Sequence, residues 1–197
     1  MDSEDLLAAA LDIERHVASQ GWDQPALLFA LVETAQLRVD QPQLAAQLGV
    51  VDGGPALTTF EQPAPPDDED LDVFLGRIEW PEQIVGAALV VERIVLPPDA
   101  EAQIADRPDA ATAAREHPAA QDMRIVAAVT RDGQQMSVLR LRGTRESPDR
   151  GSADRGDPGA ERGGPARPDA QPDLDDSVLH GPDLVPGLSQ ALLATFA

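Results

Sequence analysis

Any chemistry in this chain falls to arginines, histidines, carboxylates and hydroxyls. The 197 residues include no lysine, tyrosine or cysteine. That removes Schiff-base chemistry, Walker-type phosphate loops, thiolate nucleophiles, disulfides and thiolate metal sites. His16 follows Asp12 at i,i+4, a spacing that puts an acid and an imidazole on one helix face. No HExxH pattern or second histidine lies nearby, so a solvated helix face accounts for the pair. His117 precedes Pro118 at the end of a predicted helix, where a cation meets the negative end of the dipole. His180 falls in a predicted loop, VLHGPD, and three histidines this far apart form no recognisable metal set. The DDEDLD run at 67–72 lacks the glycine and spacing of an EF-hand loop, and Ser3, Ser19, Ser137 and Ser189 sit in no GxSxG context. The reading therefore expects no catalytic residue, no metal and no cofactor.

Arginine supplies the remaining candidates. The segment IVGAALVVERIVLPP (84–98) is the most strand-like in the chain, and it sets Glu92 and Arg93 side by side in an apolar run. Neighbours in a strand face opposite ways. A buried, tuned ion pair is one reading. The preferred one is a strand covered on both faces up to residue 91 that then runs past its cover, with Glu92 pairing across strands and Arg93 laying its stem on apolar surface. MRIVAAVTRDGQQMSVLRLRG (123–143) supplies the partner strands as a hairpin about Asp132-Gly133. A three-residue loop with Gly133 left-handed pairs Thr130 with Gln134 and puts Met123, Ile125, Ala127, Val129, Leu139 and Leu141 on one face. Arg124, Arg140 and Arg142 then share the other face, expected to be the outer one. Together with Glu92 and Arg93 they are the candidate site for a small anion or an acidic partner group.

The elements that position these residues follow from periodicity and capping. Residues 3–19 read as an amphipathic helix with Leu6, Ala10, Ile13 and Val17 on its buried stripe. Asp23 with Pro25 starts a second predicted helix along Leu28, Leu31, Val32, Ala35 and Val39, and Pro42 opens a short third that stops at Gly49. ALTTFEQ (56–62) reads as a strand. An acid-capped helix runs from Leu71 through Ile78, broken by Trp80-Pro81. Residues 99–117 are helical by propensity and divided by Pro108. GPDLVPGLSQALLATFA reads as a C-terminal helix too apolar to stand undocked. The expected fold is α+β: one domain, residues 1–142 plus 178–197, with a mostly antiparallel sheet of about four strands (56–62, 84–96, 122–130, 134–142) packed with N-terminal helices and a C-terminal helix. The intervening 143–177, rich in proline, glycine, arginine and acids, lacks the apolar surface to offset its chain entropy and is expected to be a disordered loop.

Charge narrows the partners. Thirty-five acidic residues against fifteen basic ones give a net charge of -20, which repels nucleic acid and anionic membrane surfaces. No apolar run approaches a membrane span, and the acidic amino terminus is unlike a signal peptide, so a cytoplasmic location is expected. The partner expected is another protein or a second copy, the latter pairing through the edge of the 84–96 strand or of the hairpin.

Three segments, GWDQPALLFALVETAQL, WPEQIVGAALVVERIVLPP with RIVAAVTRDG, and GPDLVPGLSQALLATF, resemble a family of small, acidic, uncharacterised actinobacterial proteins. The absence of lysine and asparagine, with abundant alanine, arginine, proline and glycine, agrees with a GC-rich bacterial genome. The resemblance spans most of the chain outside the 143–172 linker and implies no catalytic residues. The functional expectation is a non-enzymatic cytosolic binding or regulatory protein acting through an apolar sheet–helix surface or the arginine face. The alternative is a small-anion-binding protein or enzyme with an arginine-lined pocket on the sheet.

Overall fold

A computed structural model describes residues 2–51, 53–66, 69–142, 178–182 and 184–197. The predicted disordered loop, 143–177, lies outside the described residues. The chain opens with helix α1 (Ser3–Ser19), which begins at a reciprocal capping box: the Asp2 carboxylate accepts from the Glu4 and Asp5 amides, and the Asp5 carboxylate accepts from the Asp2 amide. Strand β1 (Leu27–Glu33), helices α2 (Thr34–Asp40) and α3 (Pro42–Gln47), strand β2 (Leu57–Glu61) and helix α4 (Leu71–Leu75) follow. Then come β3 (Gly86–Val95), α5 (Pro98–Ile104), α6 (Ala110–Glu116), the hairpin β4 (Gln121–Thr130) and β5 (Gln135–Leu141), β6 (Val178–Gly181) and α7 (Pro186–Ala194).

The fold is α+β, and its sheet is antiparallel and six-stranded, in the order β2-β1-β3-β4-β5-β6. Two strands exceed the expected four. β1 replaces the first half of the predicted second helix, whose second half is α2: Leu27 to Val32 are apolar and buried at every position, whereas a helix would bury only one stripe. A short, unbroken apolar run suits a central strand covered on both faces. Val39, assigned to the stripe of that helix, is 76% exposed. Where the sequence predicts a loop around His180, the chain forms β6, whose register pairs Leu139 with Leu179 and Val138 with His180.

The hairpin has the expected three-residue loop. Gly133 takes φ of +92° and Thr130 donates its amide to Gln134, which fixes the predicted two faces. One face, with Phe29, Leu31, Val90, Val126, Ala128 and Val138, packs under α1. The other, with Leu89, Val91, Ile125, Ala127 and Val129, receives Leu75 of α4 and Leu192 of α7. The docking of α7 is fixed at its end: Trp80 Nε1 donates to Thr195 Oγ1 at 2.8 Å and the Trp80 ring stacks on Phe196 at 6.0 Å. Gly86 is required where β1, β3 and β4 meet, since a Cβ there would lie 2.6 Å from the Val129 carbonyl oxygen.

Two expectations change with this topology. β3 pairs with β4 along its whole length but with β1 only at Gly86–Val90, and β5 takes β6, so the edges expected for self-pairing narrow to the Val91–Val95 stretch of β3. And the face carrying Arg124 and Arg140 is not outer: α1 lies across it, leaving these side chains 1% and 7% exposed.

Candidate functional site

The arginine face is organised by one buried carboxylate. Ile13 and Val17 turn the inner side of α1 onto the sheet, and Glu14, on the same side, is carried into the interface at 1% exposure. Arg140 Nε and Nη2 donate to its two oxygens at 2.5 and 2.8 Å, a bidentate pair, and Arg124 Nη1 stands 3.7 Å away. Register sets Glu92 opposite Arg124, whose Nε and Nη2 donate to Glu92 Oε1 at 3.2 and 2.9 Å. The other Glu92 oxygen accepts the Asp23 amide at 2.7 Å, and Arg124 also donates to the Gly21 carbonyl. Asp23, left-handed at φ of +67°, presents its carboxylate to Arg142, which also bonds Asp122 at 3.1 Å. The hydrogen bonds it donates to Asp23 and then Asp122 hold the Arg142 guanidinium pKa above its ordinary value. The Trp22 ring lies 4.5 Å from the Arg124 guanidinium and 5.4 Å from that of Arg142.

This network ties the α1–β1 connector to the sheet. The four carboxylates Glu14, Glu92, Asp23 and Asp122 already outnumber the three guanidiniums they bond, so the cluster presents no positive field to draw an anion. Arg93 stands apart from it: its side chain is exposed and donates to the Glu92 carbonyl at 3.0 Å. β3 is buried through Val91 and leaves its cover from Glu92 onward, as the sequence predicts. The histidines stay separate. His16 faces Gln20 and, at 3.7 Å, Glu61, while Asp12 pairs with Arg15. His117 Nδ1 accepts the Ala119 amide. Among the described residues no group of three or more histidine, aspartate or glutamate side chains converges as metal ligands.

A different region holds the larger cavity, a groove of about 730 Å³ over the β1–β2 end of the sheet, on the face opposite α1. Its floor is Leu28, Ala30 and Val32, alternate residues of β1, with Phe60 of β2 beside them. Helices α2 and α3 bring Leu37 and Leu44; α4 and the connector behind it bring Phe74, Ile78, Trp80 and Ile84. Among the described residues the polar lining is four glutamines, Gln36, Gln41, Gln62 and Gln83, with Asp40 and Glu79, and no arginine or histidine. The wall is braced from behind, where Arg131 donates to the carbonyls of Trp80, Pro81 and Ile84 and its guanidinium sits 4.8 Å over Phe196.

None of the five sequence-nominated residues lines this groove, and the sequence reading missed it. One signal was present: Phe60, Phe74 and Trp80 are three of only six aromatic residues in the chain, and all three line one cavity.

Fold and cavity together define an α+β protein with one sheet face packed under a helix and the other under α4 and α7, with an apolar groove at its β1–β2 end. The chain belongs to the PPA1309-like protein family, whose model matches residues 6–197. No curated protein and no solved structure matches it.

Proposed function

We propose that this is a non-enzymatic binding or regulatory protein of the cytoplasm that works through the β1–β2 groove. One observation carries the reading: about 730 Å³ of apolar cavity, rimmed by amides and two carboxylates, on an otherwise packed sheet. The volume and the mixture of aromatic walls with a few polar groups are those of a recognition site. No helix among the described residues is long and apolar enough to cross a membrane. The rival reading, an anion site on the arginine face, has no geometric support, because Glu14 and Glu92 already engage Arg140 and Arg124.

The test is native mass spectrometry on the full chain gently purified from its own host, wild type beside Ile84→Trp and Arg142→Ala. Ile84 is a half-buried wall residue, and a larger ring there fills the groove. A stoichiometric added mass lost in Ile84→Trp, with an unchanged melting temperature, supports the groove. A mass that survives Ile84→Trp and disappears in Arg142→Ala overturns it in favour of the arginine face.

A further inference from the structure

We propose that the occupant of the groove is a short amphipathic segment of a partner protein, apolar side chains down and at least one lysine or arginine reaching Asp40 or Glu79. This rests on the groove being the working surface and adds the chemical class of what it takes.

Charge selects the sign. Among the described residues lining the groove, Asp40 and Glu79 are the only charged ones, and both are exposed. The whole chain adds its net charge of -20. A fatty acid, a nucleotide or an acidic peptide would enter against both fields, whereas a cationic group is drawn by both. The same argument counts against a second copy of this chain, which brings an equal negative charge.

The rim amides select the kind of ligand. A glutamine side chain both donates and accepts, as a peptide unit does. Gln36 donates to Asp40 and the half-buried Gln62 to the Phe60 carbonyl, while Gln41 and Gln83 are exposed at the trough, so a peptide backbone crossing the rim finds those two amides in reach. A purely apolar small molecule would strip water from those amides and offer nothing in return. The β1 floor is itself buried, so the accessible apolar contact comes from the half-buried walls, Leu44, Phe60, Phe74, Ile78, Trp80 and Ile84, which suits one or two apolar side chains of an amphipathic segment seated between them.

The test takes a random peptide display library selected against the full chain, beside a neutral apolar dye, Nile red, as a probe of the groove alone. Wild type is compared with Ile84→Trp, with Gln41→Trp, which blocks the groove from the exposed α2–α3 side, and with the double variant Asp40→Asn, Glu79→Gln. Expected are selected peptides that combine spaced apolar residues with lysine or arginine and that lose binding in both tryptophan variants. They should weaken about tenfold in the double variant, and weaken further with salt. Dye binding that both tryptophan variants abolish, with no peptide selected or with selected peptides free of basic residues, overturns the peptide class and leaves the groove standing. Dye and peptides both failing on wild type, or both surviving in both tryptophan variants, overturns the groove itself.

Discussion

The two faces of the sheet treat their neighbours in opposite ways. Under α1, the sequence places full charges where a core belongs, and the fold answers each one: Glu14 holds Arg140 at 2.5 Å, and Arg124 holds Glu92 at 2.9 Å. Over β1 and β2, on the far face, the sequence places apolar side chains where a core belongs; Leu28, Ala30 and Val32 are buried there, and the side chains packed around them, Phe60, Phe74, Ile78, Trp80 and Ile84, stay half-buried along a groove. Residue type therefore misleads on the first face and understates the second. The charged residues that look like a site consolidate the fold, and the apolar residues that look like core are core, with the half-buried side chains packed on them also lining a groove. Desolvation explains the first. A buried charge is tolerated only with a partner in contact, so burial forces the arginines and acids to consume one another. Apolar side chains carry no such requirement, so a groove beside the buried floor leaves no charge unpaired.

The sharpest way to break this comparison is to remove the carboxylate at the centre of the network. Glu14→Ala leaves two buried guanidiniums without it and should cost about 3–5 kcal/mol, read as a lower urea midpoint. A loss within the noise would mean that water reaches Arg124 and Arg140 and that the arginine face is open after all. Gly86→Ala should come next, at about 1–3 kcal/mol, because the new Cβ meets Val129 backbone and cannot be relieved by a rotamer change. On the open face the same measurement should barely move: Gln41→Trp, at an exposed rim position, is expected within about 0.5 kcal/mol of wild type. Charge-face variants should thus cost stability without binding, and groove variants binding without stability.

What the sequence disclosed depended on whether the signal was local. The hairpin was legible to the residue, since one left-handed glycine sets loop length, loop length sets register, and register sorts every side chain to a face. The exit of β3 from its cover at Glu92 was legible for the same reason, as apolar residues give way to charged ones. β1 was not, because Leu28, Leu31 and Val32 fit a helical stripe as well as a buried strand. The deciding fact, that the run has two packed neighbours, is tertiary. That missed strand also hid the site: without β1 in the sheet, Leu28, Ala30 and Val32 cannot form a floor. It hid the cover over Arg124 and Arg140 as well, since α1 was one of three predicted helices with no stated position on the sheet.

Two smaller effects sharpen the contrast between buried and exposed charge. Arg142 bonds Asp23 and Asp122, and the Asp23 side chain is 78% exposed. Arg142→Ala should lower the melting temperature slightly, and the difference should shrink in 1 M salt, where the screening length is about 3 Å. The Glu14→Ala loss should persist in that salt because its ion pair is out of reach of counterions.

Asp2 carries the comparison to its smallest term, because it starts the helix that delivers Glu14. The Asp5 amide, donating to the Asp2 carboxylate, is the main cause holding that group below the usual carboxylate range, with the Asp5 side chain and the Glu4 amide adding to it. A carboxyl group lowered in the folded state contributes stability that is present above its unfolded value of about 3.9 and is lost as the pH falls through the folded one. Asp2→Ala should therefore reduce the melting temperature at pH 7, and the gap to wild type should close as the pH drops below about 4, when the cap is protonated in both states. Asp2→Asn, which keeps an accepting oxygen, should recover most of the loss at pH 7 and show little of the pH dependence. If Asp2→Ala instead keeps its full deficit in acid, the carboxylate is not what starts α1, and the placement of Glu14 must rest on the packing of Leu6, Ile13 and Val17 alone.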